Sequence, residues 1–328
     1  MRWSARLPRF CTMPSNTPTP AGTTPTPPAA LPTNDPSADT AGTWRLGDRT
    51  VHRMGFGSMR LTADPDPAAA IRVLRRAVEL GVDHIDTAAF YVSPGGTLGV
   101  GTGPARYATE LIRTALTPYP PELVIATKVG FAADDGGQLS EANSPAQLRA
   151  QVEENLRRLG RDHLDLVNLR IVKRPGRDSI AEAFGALAEL REAGLIRHLG
   201  LSNVRIDHLD EAQRIAPVAC VQNSYSVDHN RTDDELVRVC GERGIGYVPF
   251  FSLAGSRRES GAQQDHGDAV RTIARAHEAT PQQIRLAWAL HQGRHVLAIP
   301  GTGNVDHLAS NIAAGAIRLT AAELAALG

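Results

Sequence analysis

Short apolar segments alternate with helical stretches along most of this chain, and that alternation constrains the fold more than any other feature. The segments are Met54–Ser58, His84–Ala88, Leu123–Lys128, Leu164–Arg170, His198–Asn203, Ala219–Tyr225, Gly246–Leu253 and Val296–Thr302. Between them the spacing of apolar residues predicts helices over Pro67–Leu80, Tyr107–Leu116, Pro145–Leu159, Ile180–Ala193, Asp207–Arg214 and Asp233–Arg243. Asp268–His277 and Pro281–His291 precede the last strand, and Asn304–Ala314 follows it. Pro145 and Pro281 suit a first helical turn, and each follows a capping residue, Ser144 or Thr280. Strand–helix alternation argues for a parallel sheet, and eight such units predict a closed (β/α)8 barrel of the TIM type. The rival is an open doubly wound sheet. It requires a G-x-G-x-x-G turn after an early strand. The glycines of Gly99–Gly103 lie in a long loop instead, with no acidic residue at the right distance, so they read as a flexible active-site loop.

The N-terminal end differs from the rest. Residues 1–42 are rich in Pro, Thr and Ala and poor in large apolar side chains, so they read as a disordered arm outside the fold. The start is basic, but no apolar stretch of signal-peptide length follows it. The folded domain is then 43–328. It opens with a hairpin, Thr43–Leu46 and Arg49–His52, turning at Gly47-Asp48. The formal net charge of zero gives no electrostatic footprint for nucleic acid or an anionic membrane, and no apolar run reaches membrane-spanning length. Cys11, Cys220 and Cys240 show no metal-ligand spacing and cannot all pair, which fits a reduced, cytoplasmic protein with no bound metal.

The chemistry concentrates at the carboxyl ends of the predicted strands, the face on which barrel enzymes carry their sites. Asp86 and Tyr91 close the second strand, and Lys128 closes the third. Lys128 and Lys173 are the only lysines in the chain. A carboxylate, a phenol and an ammonium at neighbouring strand ends make a proton-donating tyrosine: the ammonium lowers the phenol's pKa from about 10, and the carboxylate compensates and orients the ammonium. Arg170 ends the fourth strand, Ser202 and Asn203 the fifth, and Gln222 lies on the sixth. Phe250 and Phe251 lie on the seventh, and Gly301 and Thr302 end the eighth.

The segment Gly81–Tyr91, the lysine of Leu123–Lys128, and then Gly200–Asn203, Val221–Asn223 and Ile299–Thr302 in that order resemble the aldo-keto reductases over roughly residues 44–328. The resemblance implies an NADP(H)-dependent oxidoreductase with Tyr91 as acid, assisted by Lys128 and Asp86. It also implies that Ser202, Asn203 and Gln222 hold the nicotinamide carboxamide and that Phe250, or Phe251 in its place, stacks on the nicotinamide. Gly57, Ser58, Met59, Asp86, Leu253, Gly301, Thr302, Gly303, His307 and Asn311 complete the implied cofactor set. Backbone N–H groups of Gly301–Asn311, ahead of a helix, suit the adenosine 2′-phosphate. The family's lysine at the Gly301 position and its arginine near His307 are absent here, so a weakened preference for NADPH follows.

The largest departure is Arg170, which stands where the family carries a catalytic histidine. An arginine offers donors only and cannot relay a proton. Three roles stay open for it: stabilising the developing alkoxide, gripping an anionic group on the substrate, or pairing with a nearby carboxylate. The same segment, with Val248–Phe251 and Pro300–Thr302, resembles a branch that includes bacterial pyridoxal reductases. The expected function is NADPH-dependent reduction of a small aldehyde or ketone such as pyridoxal, by a monomer or weak homo-oligomer that binds neither nucleic acid nor membrane. The alternatives are an NADPH-binding regulatory subunit and a reductase of C=N or C=C bonds.

Overall fold

Seven strands lie side by side in a curled parallel sheet, and an eighth segment closes it. The computed structural model describes residues 35–96, 98–133, 139–172, 178–253 and 266–328. In chain order the strands are β1 (Thr43–Leu46), β2 (Arg49–His52), β3 (Phe56–Gly57), β4 (His84–Asp86), β5 (Val92–Ser93), β6 (Arg106–Tyr107), β7 (Val124–Ala133), β8 (Leu139–Ala142), β9 (Leu164–Arg170), β10 (Ile196–Ser202), β11 (Val218–Gln222) and β12 (Gly246–Tyr247). The sheet runs β12-β11-β10-β9-β7-β4-β3. Residues 296–300 join its two edges: Leu297 N–H donates to Tyr247, and Gly55 and Gly57 N–H donate to Ala298 and Pro300. A barrel so closed has no free strand edge.

The helices are α1 (Pro67–Glu79), α2 (Ala108–Leu116), α3 (Pro145–Leu159), α4 (Ala181–Glu192), α5 (Ile206–Ile215), α6 (Asp234–Glu242), α7 (Asp268–Ala276), α8 (Pro281–His291), α9 (Val305–Ala313) and α10 (Ala321–Leu327). Ser144 and Thr280 form capping boxes with Gln147 and Gln283, each followed by a first-turn proline. The helices cover the outside of the strands with one apolar core. A second core fills the barrel: Val124, Ala126, Leu166, Cys220, Val248 and Leu297 pack there against Leu46 and Val51 of the β1–β2 hairpin. That hairpin therefore plugs the end of the barrel opposite the strand carboxyl termini.

Four expectations change. The seventh strand, expected over Gly246–Leu253, is only Gly246–Tyr247, so Phe250 and Phe251 lie beyond its end. The third strand does not stop at Lys128; β7 runs on to Ala133 and pairs antiparallel with β8. The C-terminal helix α10, capped by Thr320, was not foreseen. The disordered arm was expected to reach residue 42, yet residues 38–41 form a 3-10 turn in which Ala38 and Ala41 are buried. Ala38 N–H donates to Leu80, Arg53 and Arg318 donate to the carbonyls of Ala41 and Thr40, and Arg76 pairs with Asp35 at 2.5 Å. Small alanines let this turn lie close against the helical layer. Cys11 and the rest of residues 1–34 are outside the described residues.

A chain that begins at Thr43 should therefore melt below one that begins at Asp35. Each kcal/mol lost lowers Tm by roughly 2–4 °C in a domain of this size. Equal melting temperatures in a thermal scan would show that the 35–42 contacts add nothing.

Candidate active site

Asp86 is the last residue of β4, and its side chain enters the barrel with Lys128 of β7. Lys128 Nζ donates to Asp86 Oδ2 at 2.5 Å and to the Thr87 carbonyl at 3.1 Å. Gln222, at the end of β11, donates from Nε2 to Asp86 Oδ1 at 2.8 Å. Asp86 and Lys128 are 4% and 2% exposed, so both charges are out of water. A buried ion pair survives only when further hydrogen bonds satisfy it, and Gln222 and Thr87 supply them.

Tyr91 stands on a tight turn. Its N–H donates to Ala88, and its carbonyl accepts from Ala108, the first residue of α2. The short ribbon of β5 and β6 follows, fixed at its base by Arg106, which donates to the Thr62 carbonyl at 3.0 Å. The ring lies 4.8 Å from Lys128 Nζ and meets Phe90 edge-on at 5.4 Å. Burial pushes the phenol above its ordinary value; Lys128 pulls it down, and burial wins. The lowering expected from the sequence is thus present but outweighed, because the ring is 8% exposed. For Lys128 burial works against the ammonium, but Asp86 and Tyr91 together hold its pKa above the ordinary value. The site at neutral pH is a protonated phenol beside a protonated amine.

These groups line one cavity of about 340 Å³ at the strand carboxyl ends. Of the expected site residues, Gly57, Met59, Asp86, Tyr91, Lys128, Arg170, Asn203, Phe250, Phe251, Leu253 and Gly301 line it together. Ser202 and Gln222 sit behind that wall. Ser202 Oγ accepts from Arg170 Nη1 at 3.2 Å, and Gln222 holds Asp86. Ser58 is fully buried, and its N–H donates to the Asp86 carbonyl. Thr302, Gly303, His307 and Asn311 are not among the lining residues. Thr302 Oγ1 accepts from Asn304 N–H, and Asn304 Oδ1 accepts from the N–H groups of Asp306 and His307. Two backbone donors expected to meet a phosphate are therefore already engaged by the cap of α9.

Arg170, at the end of β9, is half-buried. Its guanidinium lies 5.1 Å from the centre of the Phe250 ring and 6.0 Å from that of Phe131. Two backbone conformations at this rim are unusual. Asn203 and Phe251 both have φ of 62°, which an asparagine tolerates and a phenylalanine does not readily adopt. Asn203 is held there by its own amide, donating to the Ile171 carbonyl at 2.9 Å.

The sequence missed the walls. Phe90, Phe131, Leu139, Ile171 and Arg60 all line the cavity. Phe131 and Leu139 come from the β7–β8 hairpin, which Gly130 makes possible. At φ 108° it passes so near the Arg170 carbonyl that a Cβ would lie 2.3 Å from that oxygen. The apolar run continuing past Lys128 (Val129, Phe131) was the available signal. Conversely, of the described residues between Tyr91 and Arg106, only Tyr91 lines the cavity. Lys173 and residues 254–265 lie outside the described residues.

A closed parallel barrel with a Tyr, Lys and Asp grouped at its carboxyl face defines a barrel oxidoreductase. The Aldo/keto reductase family pattern matches residues 53–328, and the chain belongs to that family. It is 39% identical over 299 residues to pyridoxine 4-dehydrogenase of Escherichia coli (strain K12), covering 88% of this chain and 98% of that protein. It is 36% identical over 298 residues to an uncharacterized oxidoreductase of Schizosaccharomyces pombe, covering 88% and 90%. Among solved structures it is similar to an aldo/keto reductase from Klebsiella pneumoniae in complex with NADP and acetate. That match has a TM-score of 0.70 and 26% identity, covering 87% of this chain and 93% of that one. Among the described residues no helix is long and apolar enough to cross a membrane.

Proposed function

We propose that this protein is an NADPH-dependent reductase of a small carbonyl compound, with pyridoxal and its alcohol pyridoxine as the substrate pair. The observation that carries the reading is the grouping of Tyr91, Lys128 and Asp86 in one cavity. The donor set fits a nicotinamide cofactor. Gln222 Oε1 and Ser58 Oγ are buried without a hydrogen-bond partner, and an acceptor at Gln222 matches the N–H of a carboxamide. Ser202, Asn203 and Gln222 would hold that end, with Phe250 or Phe251 against the ring. When bound, NADPH supplies the hydride that turns the carbonyl carbon into an alcohol.

The chain's own part is proton transfer. Tyr91 gives its phenolic proton to the carbonyl oxygen as negative charge builds there. Lys128 stabilises the phenolate left behind, and its three donors are oriented by Asp86, Thr87 and Tyr91. Asp86 cannot turn away, because Gln222 holds its other oxygen. Arg170 takes no proton from any of them, since a guanidinium stays charged throughout. The pyridoxal assignment rests on the similarity to the Escherichia coli pyridoxine 4-dehydrogenase and on a cavity walled by aromatic rings, which suits a planar ring better than a sugar.

The central test is Tyr91→Phe. The variant should lose about a hundredfold or more in kcat for NADPH oxidation with pyridoxal or a simple aldehyde. Its affinity for NADPH in a fluorescence titration should stay close to that of the unaltered protein. A Tyr91→Phe protein that keeps its turnover sinks the reading.

The pH profile of kcat for reduction should be level from about pH 6 to about pH 9. No histidine contributes a limb near 6.5. Because burial raises the phenol, loss of the donor is deferred beyond its ordinary value of about 10. A sigmoid centred near neutrality would point to a different proton donor.

NADPH should bind more tightly than NADH, but by a small factor. No lysine or arginine lies in residues 301–311, and the Asn304 cap engages two of the N–H groups there. Titrations in which NADH binds as well or better would reject the preference.

A further inference from the structure

The cavity wall next to Tyr91 is carried partly by a segment that leaves the barrel. Phe90 meets the Tyr91 ring edge-on at 5.4 Å, and Phe131 meets Phe90 at 6.3 Å. Met59, Phe131 and Leu139 pack on the apolar cluster of Ala88, Phe90, Tyr91 and Ala108. Phe131 lies on β7 and Leu139 on β8, and both line the cavity. The acid is thus flanked by a continuous apolar surface whose outer half belongs to the β7–β8 hairpin. A two-stranded ribbon is only marginally stable in water by itself, so the place of that wall depends on what holds the ribbon.

What holds it at its base is one side chain of α3. The parallel pairing of β7 with β9 ends at Val129, and Gly130 opens the antiparallel ladder opposite Ala142. Gln151 closes that end of the ladder. Its Oε1 accepts from the Gly130 N–H at 2.8 Å, and its Nε2 donates to the Ala142 carbonyl at 2.6 Å. A side-chain amide carries an acceptor and a donor in fixed geometry, so it stands in for the backbone unit that a third strand would supply. Asn155, one turn on and fully buried, donates to the Gln151 carbonyl at 2.8 Å and accepts from Thr127 Oγ1 at 2.6 Å. Helix α3 therefore grips β7 on both sides of Lys128. The contact at Thr127 precedes the lysine, and the contact at Gly130 is at the root of the wall.

We propose that Gln151 is a positioning residue for substrate selection. By pinning both strands of the hairpin at their base, it sets Phe131 against Phe90, and Phe131 is the specificity-determining residue of that wall. The compound selected bears its carbonyl on a flat aromatic ring, which lies against Phe131 while Tyr91 meets the carbonyl oxygen. Ring pairs in offset or edge-on contact gain more than the area they bury. The proposal rests on the carbonyl-reductase reading above and adds the substrate class and the residue that sets it.

The test compares the KM of benzaldehyde with that of propanal, which offers the same aldehyde and no ring. The unaltered enzyme should show the lower KM for benzaldehyde. Phe131→Ala should raise KM for benzaldehyde relative to propanal about tenfold, the scale of a lost ring contact with its buried area. Gln151→Met has similar length and neither hydrogen bond; it should shift the same ratio in the same direction by about threefold or more. Gln151→Glu keeps an acceptor for Gly130 and should give a smaller shift, which decides the matter if Gln151→Met does not fold. The double variant of Phe131→Ala and Gln151→Met should differ little from Phe131→Ala alone, because Gln151 acts through that ring; independent effects would multiply. Multiplying shifts, or a ratio unmoved by the Gln151 variants, would overturn the positioning role. An equal fall in kcat for both probes with the ratio unchanged would place the effect on Lys128 and overturn it as well. A ratio unmoved by Phe131→Ala would overturn the substrate class. An unaltered enzyme that reduces neither aldehyde fails the carbonyl-reductase reading and takes the proposal with it. One that reduces both with equal KM fails the proposal alone.

Discussion

The buried pair of Asp86 and Lys128 is the constraint around which the rest of the site is arranged. Two opposite charges taken out of water cost several kcal/mol each before their attraction is counted. The cost is met here by geometry that only a closed barrel supplies. Asp86 comes from β4 and Lys128 from its neighbour β7. Gln222 reaches Asp86 from β11, three strands farther round the sheet order. An open sheet of the same strands would splay Gln222 away and leave one carboxylate oxygen bare. Losing either charge leaves the other buried alone, at a cost of about 3–5 kcal/mol. Closure of the barrel and assembly of the site are in this sense one event.

Above that pair the mouth is built from segments that leave the barrel. The β7–β8 hairpin rises past the strand ends, and Gly130 lets it cross the Arg170 backbone at a distance no side chain would permit. Gln151 of α3 clamps its two strands, accepting from Gly130 N–H at 2.8 Å and donating to the Ala142 carbonyl at 2.6 Å. Phe131 is carried to the cavity by this hairpin, so the aromatic wall opposite Phe250 depends on a helix outside the barrel. The chemistry sits on the strands, where position is rigid. The surface that meets a substrate sits on the extensions, which vary with little effect on the core.

Much of this was legible in the sequence, for reasons that follow from local physics. Each parallel strand buried on both faces reads as an apolar run, and Ser144-Pro145 and Thr280-Pro281 announce helix starts through capping and fixed φ. The strand ends then place Asp86, Tyr91, Lys128 and Arg170 on one face without any knowledge of contacts. What stayed hidden depends on distant partners. The turn at 38–41 looks like part of a low-complexity arm because its two buried residues are alanines, and only the helical layer makes them core. The hairpin was missed because a strand that ends in a functional lysine invites a stop there. The direction of the Tyr91 shift was misjudged because a sequence shows the neighbouring charge and not the depth of burial that opposes it.

The two left-handed residues at the rim complete the picture. Asn203 and Phe251 follow strands that end at the cavity, and backbone strain of this kind costs on the order of 1–3 kcal/mol for a bulky side chain. Asn203 is repaid by its amide bond to Ile171, which ties the end of β10 to the segment after Arg170. Phe251 turns so that its ring meets Phe250 edge-on at 4.9 Å. Phe250 is the ring against which Arg170 rests, so the strain at residue 251 fixes the support of the guanidinium. The opposite mouth of the barrel needs no such device, because the β1–β2 hairpin fills it with Leu46 and Val51. Left-handed backbone also occurs at Asn230 and Glu278, neither of which lines the cavity, so what distinguishes the rim pair is its contact with the residues around Arg170.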